Sequence, residues 1–565
     1  REMLVATRFA DTVQVHQVSF PGGDRRQLTF FPDRVISASF PPRSSFSSSR
    51  ASSGAPSSDS FVFSKDRGGD EFFQNYRYDV ASGTTTLISD GRSRNSLGVW
   101  SNRGDRMAYT STRRNGADTD LYVVVPTEPK TDRLFAQVQG GGWSPLDWSP
   151  DDSTLLVSQT ISINESHLWL FDVATGTRTL LTAASSGNLI AYRGGKWARA
   201  HARTSGANAI YVATDRDGEF FRLAGMDTTT KAIRYLTTHI PWDVESFDLS
   251  PDGKSLAVVT NEAGVGKLHM IDAATGTEWP ISRMPTLPAG SISDPIFRTT
   301  GAATDLAFTI TSAGSPADVY SWDVRTRKIQ RWTHSETGGI DTRALSEPAV
   351  VQWPTFDGRL LSGLLYKPPA RFAGKRPVMI SIHGGPEAQS RPGFQGRTNF
   401  ILAELGVAVL FPNVRGSTGY GKSFTRLDNG LLREDAVKDI GTLLDWIATQ
   451  PDLDSDRIMI AGGSYGGYMT LAASTHFSAR IRCSLSIVGI SNFVTFLERT
   501  EAYRRDLRRV EYGDEREPDV RAFMERIAPL NNAAKIAKPI FVVQGKNDPR
   551  VPLREAEQMV ATLRK

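Results

Sequence analysis

Short runs of alternating apolar and polar positions fill the first 345 residues of the chain, and a hairpin pattern recurs among them. In each clear copy, one run ends near an aspartate, a turn of small residues with Thr-Gly or Ser-Gly follows, and a second run begins. Alternation with a period of two is typical of half-buried strands, and the glycine supplies the positive φ that a tight turn requires. The pattern predicts β-hairpins, of which the clearest copies are 76–84, 170–177 and 270–277.

A second turn signal, Ser-Pro-Asp, precedes two of these hairpins, at 149–151 and 250–252. The copies recur at intervals that give each unit roughly 45 to 50 residues, the length of a four-stranded propeller blade. Because a blade buries its sheet faces only against neighbouring blades, the region needs no long amphipathic helices. Residues 1–345 therefore predict an N-terminal β-propeller of about seven blades. A tandem of β-sandwiches is the alternative, which these periods favour less.

From residue 346 onward, near-continuous apolar runs alternate with helical segments. Runs of this kind are typical of strands that are buried on both faces of a parallel sheet, with helices on each side. Residues 346–565 therefore predict an α/β domain. The predicted strands are 378–382, 407–411, 458–461, 483–488 and 540–543, and a helical segment such as 435–449 lies between them.

The composition argues against several classes of protein. Apolar residues make up 39% of the sequence and charged residues 22%, and no apolar run is long enough to cross a membrane, so no membrane partner is expected. The formal net charge of +5 is spread along the chain, which argues against a nucleic-acid partner. The single cysteine, Cys483, cannot form an internal disulfide and has no metal-ligand spacing around it, so neither a metal nor a cofactor is predicted.

Three segments look incomplete or irregular. The chain opens in a strand-like run at 3–7 without an initiator Met or a signal peptide, so no compartment is predicted. Residues 554–565 read as an amphipathic helix still in progress, and we expect the α/β domain to be truncated at its C-terminus. The segment 44–60 is mostly serine with little apolar surface, and we expect a disordered loop or a locally corrupted sequence there.

The candidate nucleophile is Ser464, in the segment Gly-Gly-Ser-Tyr-Gly-Gly at 462–467. A predicted strand runs into this segment and a helix-forming segment follows it, which is the context of a nucleophile elbow. Such a turn crowds the backbone, so small residues are needed two positions before and two after the serine, where Gly462 and Gly466 stand. A glycine-rich turn without function is the alternative for this motif alone.

An acyl-transfer site also needs hydrogen-bond donors fixed around the developing oxyanion. The residue after the nucleophile supplies one backbone N–H, here that of Tyr465. The second donor is expected from the loop after an earlier strand, and His-Gly-Gly-Pro at 383–386 fits that loop, which makes Gly384 the candidate. His383 precedes Ser464, whereas this kind of site orders its triad Ser, Asp, His, so we assign His383 a structural role.

The candidate acid is Asp548, in the segment Lys-Asn-Asp-Pro-Arg after the predicted strand 540–543. Its position after a strand places it on the same sheet edge as Ser464, although Asp-Pro is also a common turn former. A serine hydroxyl needs a base, and in this order the histidine follows the acid. None of the eight histidines follows Asp548, so the triad cannot close within this sequence, and we expect the chain by itself to be inactive.

Four motifs of the α/β half occur together in one known family. They are Gly-Gly-Ser-Tyr-Gly-Gly-Tyr-Met at 462–469, His-Gly-Gly-Pro at 383–386, Asn-Val-Arg-Gly-Ser-Thr-Gly-Tyr-Gly at 413–421 and Gly-Lys-Asn-Asp-Pro-Arg-Val-Pro at 545–552. With these motifs the chain resembles the acylaminoacyl-peptidase branch of the prolyl oligopeptidase family, over nearly its whole length. The resemblance implies that residues 346–565 form an α/β-hydrolase domain and that the propeller caps the active site and excludes large folded proteins.

The resemblance implies a serine peptidase that hydrolyses short peptides through an acyl-enzyme on Ser464. Asp548 would orient a histidine, and Gly384 and Tyr465 would donate to the oxyanion. Acylaminoacyl, endo-oligopeptidase and carboxypeptidase-like activities stay open, whereas dipeptide release is disfavoured because the propeller carries no paired-glutamate motif. An esterase acting on small acyl esters is one alternative, since the same site serves both bonds. A non-catalytic propeller binding module is another, if the parent gene lacks the histidine.

Two adjacent arginines, Arg504 and Arg505, fall between the last two predicted strands. They are candidates for contact with a substrate carboxylate or carbonyl, and solvated charges on a helix are the alternative. The side-chain specificity is not predicted, and a homo-oligomer is compatible with the sequence.

Overall fold

The described part of the chain folds into seven small antiparallel sheets followed by one larger sheet with helices around it. The computed structural model describes residues 2–9, 12–42, 60–182, 189–199, 208–298 and 305–565. The small sheets are the blades of a β-propeller and the larger sheet is that of an α/β-hydrolase domain, so both predicted architectures are confirmed. The serine-rich segment 44–60 lies outside the described residues except for Ser60, which begins a strand.

Consecutive strands form each blade, in the up-and-down order of a meander. The first three blades consist of β1 (Met3–Phe9), β2 (Thr12–Val18) and β3 (Arg25–Gln27); β4 (Val35–Ser39), β5 (Ser60–Lys65), β6 (Gln74–Asp79) and β7 (Thr85–Leu87); and β8 (Val99–Trp100), β9 (Met107–Ser111), β10 (Asp120–Val125) and β11 (Glu128–Ala136). The next two consist of β12 (Trp143–Trp148), β13 (Thr154–Ser162), β14 (Glu165–Asp172) and β15 (Arg178–Leu180); and β16 (Tyr192–Trp197), β17 (Ala209–Thr214), β18 (Arg222–Asp227) and β19 (Ile233–Tyr235). The last two consist of β20 (Asp243–Leu249), β21 (Ser255–Glu262) and β22 (Val265–Asp272); and β23 (Ser291–Phe297), β24 (Asp305–Ser312), β25 (Ser315–Asp323) and β26 (Lys328–Arg331).

The predicted hairpin turns follow the third strand of a blade, and an aspartate side chain organises each of them. In the fourth blade, Asp172 Oδ1 accepts hydrogen bonds from the Thr175 backbone N–H at 2.7 Å and from its hydroxyl at 2.8 Å. The Gly176 N–H donates to the Asp172 carbonyl at 2.8 Å, and Gly176 has a φ of 74°. The turns at 79–84 and 272–277 repeat the bonds to the aspartate side chain. The hairpin pattern therefore reflects a hydrogen-bonded turn.

Neighbouring blades pack through apolar clusters, and the ring closes in the same way. Between the third and fourth blades, Leu121 of β10 and Leu155 of β13 belong to one buried cluster. Between the first and last blades, Val5 and Val18 pack with Trp332, which directly follows β26. Each blade contains only consecutive strands, so closure rests on the burial of apolar surface between the two blades.

The larger sheet is mixed, with a parallel centre and an antiparallel edge. Its strands are β27 (Ala349–Pro354), β28 (Leu360–Tyr366), β29 (Arg376–Ile382), β30 (Ala408–Asn413), β31 (Leu453–Gly463), β32 (Cys483–Ile487) and β33 (Ile540–Val543). They lie in the order β27-β28-β30-β29-β31-β32-β33. The predicted strands are β29 to β33, which are parallel to one another. The antiparallel hairpin of β27 and β28 was not predicted.

Helices cover both faces of this sheet. In the described part of the chain they are α1 (Thr398–Ala403), α2 (Lys422–Thr425), α3 (Arg433–Thr449), α4 (Tyr465–His476), α5 (Phe493–Arg499), α6 (Ala502–Tyr512), α7 (Pro518–Ile527) and α8 (Leu553–Leu563). The predicted helical segment 435–449 is α3, whose Ile440, Leu444 and Ile447 join β31 and α4 in the largest apolar core. This core fixes the strand and the helix that meet at the candidate nucleophile.

The connection between the two domains lies between β26, which ends at Arg331, and β27, which begins at Ala349. A short 3₁₀ helix, Thr342–Ala344, lies within it. The boundary predicted at 345/346 falls in this connection and stays a prediction. No helix in the described ranges combines the length and the apolar character that a membrane crossing needs.

Candidate active site

Ser464 lies at the junction between β31 and α4, with an unusual backbone conformation. The strand ends at Gly463 and the helix begins at Tyr465, so the serine alone makes the turn. Its φ is 57° and its ψ is −119°, values that a residue with a side chain rarely adopts. The Ser464 N–H donates to the Ile487 carbonyl of β32 at 2.9 Å, which ties the turn to the sheet. Ser464 is therefore held at the carboxyl edge of the parallel strands.

The glycines around Ser464 are explained by close approach of the backbone. A β-carbon at Gly462 would lie 2.3 Å from the Gly466 carbonyl oxygen, and one at Gly466 would lie 2.2 Å from the Ile382 carbonyl oxygen. These oxygens belong to a helix and a strand in a close-packed interior, so they cannot move away without disturbing the packing. The small residues predicted at these two positions thus have a direct steric reason.

The two candidate oxyanion donors meet beside Ser464. A β-carbon built on Gly384 would lie 3.4 Å from the Ser464 Cβ and 3.9 Å from the Tyr465 nitrogen, so the Gly384 backbone lies next to the elbow. Tyr465 is the first residue of α4, where N–H groups have no acceptor within the helix and the helix dipole favours negative charge. This arrangement can stabilise an oxyanion formed next to Ser464 Oγ.

His383 makes its contacts within its own loop and with the segment 413–421. Its Nε2 lies 2.9 Å from Ser417 Oγ, and its Nδ1 lies 2.8 Å from the Gly384 carbonyl oxygen. Burial lowers the pKa of His383, which keeps the ring neutral near pH 7. These contacts hold the loop 383–387, which we call the oxyanion loop, against the neighbouring segment. They support the structural role assigned from the sequence.

Asp548 lies in the loop between β33 and α8. Because β31, β32 and β33 are adjacent and parallel, the loops that follow them share one edge of the sheet with Ser464. Asp548 Oδ1 accepts hydrogen bonds from the N–H groups of Arg550 at 2.8 Å and Val551 at 3.0 Å. The described residues donate no hydrogen bond to Oδ2, so this oxygen is free to accept one.

No histidine among the described residues hydrogen-bonds Ser464 or Asp548. His476 is the last residue of α4, at the opposite end from the elbow, and its Nε2 lies 3.6 Å from Glu434. The base that the chemistry needs is therefore not assigned to any described histidine. The expectation that the triad does not close within this sequence stays a prediction.

The propeller also holds the loop that carries Asp548. Asn547 Nδ2 donates to the Gly68 carbonyl at 3.0 Å, and Arg550 Nε pairs with Glu71 Oε2 at 2.8 Å. An open cleft of about 530 Å³ lies beside these contacts, and Asp548 lines it. The contacts join residues 479 positions apart, and no local pattern in the sequence predicted them.

The two candidate arginines differ in how far their groups are satisfied. Both lie on α6, and Arg504 Nη1 is buried without a hydrogen-bond partner among the described residues. Burial lowers the pKa of Arg504, and the nearby Arg508 acts in the same direction. Arg505 Nη2 donates to the Thr500 carbonyl at 2.9 Å, and the buried Nε of Arg505, like Arg504 Nη1, has no hydrogen-bond partner among the described residues. Because Arg505 is already bound to Thr500 and Arg504 donates no side-chain hydrogen bond to the described residues, Arg504 is the better placed of the two for an added acceptor.

A buried polar cluster behind the elbow was missed by the sequence reasoning. Tyr465 OH donates to Asp428 Oδ2 at 3.2 Å, and Arg433 Nη1 donates to the same oxygen at 2.5 Å. Burial raises the pKa of Asp428 to about 6 and that of Glu511 to about 8, although Arg433 acts in the opposite direction on both. These residues lie in a loop and at two helix ends, where no periodicity indicates that a charged side chain is buried.

Curated relatives match parts of this sequence, and solved structures match its fold. Dipeptidyl aminopeptidase BIII from Pseudoxanthomonas mexicana is 35% identical over 233 residues, which is 38% of this chain and 33% of that protein. Acylamino-acid-releasing enzyme 1 from Oryza sativa subsp. japonica is 26% identical over 198 residues, 34% of this chain and 25% of that protein. The matches thus span a third or less of these curated relatives. A solved structure from a study of two prolyl endopeptidases has a TM-score of 0.81 at 16% identity and covers 100% of this chain and 82% of that one, which indicates a shared fold.

Two family models together match most of the sequence. The model described as the N-terminal β-propeller domain of prolyl oligopeptidase matches residues 41–335. The model described as the prolyl oligopeptidase family matches residues 392–565, which include Ser464 and Asp548. Since the propeller match alone spans more than half of the sequence, the chain belongs to the prolyl oligopeptidase family.

Proposed function

We propose that this chain carries the nucleophile and the oxyanion site of a serine peptidase, which hydrolyses short peptides through an acyl-enzyme on Ser464. The observation that carries the proposal is the backbone of Ser464, which turns from strand to helix at a φ of 57°. The backbones of Gly384 and Tyr465 lie beside it, where donors to an oxyanion are needed. Membership of a peptidase family supports the same chemistry.

In the proposed reaction, Ser464 Oγ attacks the substrate carbonyl carbon, and its proton passes to a base. The carbonyl oxygen becomes an oxyanion, which the N–H groups of Gly384 and Tyr465 stabilise. The intermediate then expels the amine, which takes the proton from the base, and an ester on Ser464 remains. Water attacks this ester by the same route and releases the carboxylic acid. Loss of one oxyanion donor typically costs about 100- to 1000-fold in turnover.

Asp548 orients the base in this proposal. Its Oδ1 is held by two N–H groups of its own loop, and its Oδ2 is free to accept the Nδ1–H of a histidine. None of the described histidines lies at this position. The proposal therefore requires that a histidine be brought to this edge of the sheet in the active protein.

Arg504 and the propeller act on the substrate in this proposal. A carbonyl or carboxylate of a bound peptide would satisfy the buried Nη1 of Arg504, whose lack of a partner is otherwise costly. The propeller contacts the loop after β33 through Asn547 and Arg550, so it lies over the same edge of the sheet as Ser464. A cover at this edge would admit short peptides and exclude folded proteins.

The role of Ser464 as an activated nucleophile is tested by reaction of the intact protein with a fluorophosphonate probe, which labels activated serines. Labelling of the wild type is expected, together with complete loss of labelling in Ser464→Ala. Ser455→Ala, a substitution at the other end of β31, serves as the matched control and should label normally. No labelling of the wild type would contradict the proposal and favour a non-catalytic role.

Substrate class is tested by comparing turnover of acyl-peptides and of simple acyl esters. A peptidase hydrolyses both, whereas turnover of esters alone would indicate an esterase and contradict the peptidase assignment. Arg504→Gln should raise the KM for peptides with little change for small esters, because only the longer substrate reaches the guanidinium. Arg505→Gln is the matched control on the same helix.

A further inference from the structure

Three buried carboxyl groups lie close together behind the oxyanion loop, and we call Glu387, Asp428 and Glu511 the carboxyl cluster. Their side chains are 9%, 0% and 1% exposed, respectively. Two guanidinium groups face them, Arg433 at 1% and Arg508 at 24% exposure. If all three carboxyls were ionised, one negative charge would remain unbalanced in a region with little access to water, which is costly.

The two arginines do not satisfy every carboxyl oxygen of the cluster. Arg433 donates to Asp428 Oδ2 at 2.5 Å and to Glu511 Oε1 at 2.9 Å. Arg508 Nη1 lies 3.5 Å from Glu387 Oε2. The second oxygen of Glu511, Oε2, is buried and receives no hydrogen bond from an N–H or O–H group of the described residues.

One proton shared by Glu387 and Glu511 would account for the unbalanced negative charge and for the buried Glu511 Oε2 that receives no hydrogen bond. The Tyr512 hydroxyl donates to the Gly385 carbonyl at 3.2 Å, which brings Glu511, the residue before Tyr512, close to Glu387, two positions after Gly385. A hydrogen bond between the two carboxyls accordingly contributes to the pKa of each. Two ionised carboxylates have no proton to share and repel each other, whereas a carboxylic acid donates to a carboxylate. The proton removes this repulsion and balances the three carboxyls of the cluster against its two guanidinium groups.

The cluster is attached to the loop that carries one oxyanion donor. Glu387 is the last residue of the oxyanion loop, three positions after Gly384. Tyr512, the residue after Glu511, donates from its hydroxyl to the Gly385 carbonyl at 3.2 Å. The end of α6 therefore anchors the oxyanion loop at two points, through Tyr512 and through Glu511.

The cluster is also attached to the second oxyanion donor. Tyr465 OH donates to Asp428 Oδ2 at 3.2 Å. The Arg433 guanidinium lies 5.1 Å from the ring centroid of Tyr465 and 5.1 Å from that of Tyr512. A change of charge at Glu511, which Arg433 contacts, therefore acts on both donors.

We propose that Glu511 is a positioning residue for the proposed hydrolysis: as a neutral carboxylic acid it donates a hydrogen bond to the Glu387 carboxylate and so fixes the oxyanion loop. This inference rests on the proposed role of Ser464. When Glu511 loses its proton, its charge repels that of Glu387 and the loop loses this anchor. The donors at Gly384 and Tyr465 are then held less firmly, and the reaction slows.

The surroundings of the pair favour this distribution of the proton. Burial raises the pKa of Glu511 to about 8, and the nearby Glu387 and Asp428 charges act in the same direction, whereas Arg433 opposes them. Burial also disfavours the charge of Glu387, but Arg508, the hydrogen bond with Glu511 and Arg433 together outweigh burial and hold the pKa of Glu387 below its ordinary value. Besides Arg433 and Arg508, the titratable groups that face the cluster are the phenols of Tyr465, Tyr468 and Tyr512. Arg504 lies near Arg508 and Tyr512 and does not act on the three carboxyls.

The first measurement is the rate of fluorophosphonate labelling of Ser464 in the intact protein, below and above pH 8. The wild-type rate should fall as the pH rises through about 8, where Glu511 loses its proton. Glu511→Gln keeps a neutral donor that cannot ionise, so it should retain most of the rate and lose this alkaline fall. Glu511→Ala removes the donor and should lower the rate about tenfold at neutral pH. Glu517→Gln, at an exposed carboxyl nearby, is the matched control and should follow the wild type.

The second measurement is the free energy of unfolding as a function of pH, which needs no catalysis. A carboxyl whose pKa is raised from 4.5 to about 8 on folding makes the native state less stable as the pH rises through that window. The wild type and Glu517→Gln should show this loss. Glu511→Gln should lack the part of it above about pH 6, where the raised pKa of Asp428 no longer contributes.

The outcomes separate the two proposals. Equal pH profiles for the wild type and Glu511→Gln in both measurements overturn the inference on Glu511. No labelling of the wild type at Ser464 overturns the proposed function instead, and the unfolding measurement then still decides whether Glu511 is protonated in the folded protein. An alkaline fall in labelling that Glu511→Gln removes, with the matching change in stability, supports the inference.

Discussion

At Gly466 the start of α4 passes close to the end of β29. A β-carbon there would lie 2.2 Å from the Ile382 carbonyl oxygen and 2.8 Å from that of His383. This position needs glycine because of contact with neighbouring backbone, since no positive φ is involved. Ser464, two residues earlier, adopts the positive φ although it carries a side chain. Close approach and backbone strain therefore act on different residues of one turn.

Gly466→Ala tests the steric argument at the scale of a single residue. The added methyl group would force the oxyanion loop away from the elbow, and we expect a loss of about 1–3 kcal/mol in the free energy of unfolding. Denaturant unfolding measures it. Gly218→Ala is the control, because a β-carbon there would meet only the Arg222 side chain, at 3.4 Å. An equal effect of both substitutions would contradict the argument.

The blades of the propeller are held to one another by side chains, and the contact between the first and last blades closes the ring. Val18 is fully buried and Trp332 is 4% exposed, although they are far apart in the sequence. The Trp332 Nε1–H donates to Ser321 Oγ at 2.8 Å, which fixes the indole on the last blade. Its ring then covers apolar side chains of the first blade.

Trp332→Ala tests closure at the scale of the blade. Removal of a buried indole leaves a cavity between the two blades, and a loss of about 3–5 kcal/mol is expected. The thermal unfolding of the propeller measures it. Trp242→Ala, at a half-buried tryptophan outside this contact, should cost clearly less. A smaller loss in Trp332→Ala than in Trp242→Ala would indicate that the first and last blades do not depend on this contact.

Polar contacts join the propeller to the hydrolase domain. Arg391 Nη1 lies 2.6 and 2.8 Å from the two carboxylate oxygens of Glu245, and its Nε donates to the Gly264 carbonyl at 2.8 Å. The arginine and the glutamate are each about 30% exposed. Since pairs of this exposure are weak one by one, the two domains are held by several such contacts together.

A charge swap tests this contact at the scale of the whole molecule. Glu245→Arg and Arg391→Glu should each weaken the contact by placing like charges together, and the double substitution should restore part of the loss. A double-mutant cycle on the free energy of unfolding should give a coupling of about 0.5–1 kcal/mol that falls with added salt. The exposed pair Arg371 and Glu404, within the hydrolase domain, is the control. Additive effects at the interface would contradict a direct interaction.

The candidate site was predictable in so far as it depends on local motifs. The strand, turn and helix around Ser464 form one continuous segment, so the elbow could be located from the glycine spacing together with the predicted strand and helix on either side. The strand before Asp548 located the loop of the candidate acid in the same way. The carboxyl cluster could not be predicted, because Glu387 and Glu511 carry no periodic signal and come together only when α6 packs behind the oxyanion loop.

Most of the architecture could be predicted from the amino-acid sequence, because it follows from local patterns. The Asp172 turn, the period of two in the blades and the apolar runs of β29 to β33 can each be recognised from residues that are close together in the chain. Folding in three dimensions alone decided which blade packs on which, that Arg550 pairs with Glu71, and that Glu511 faces Glu387. Such contacts depend on how whole elements pack. Burial and charge at these positions, and hence their effect on the candidate site, arise only after the chain has folded.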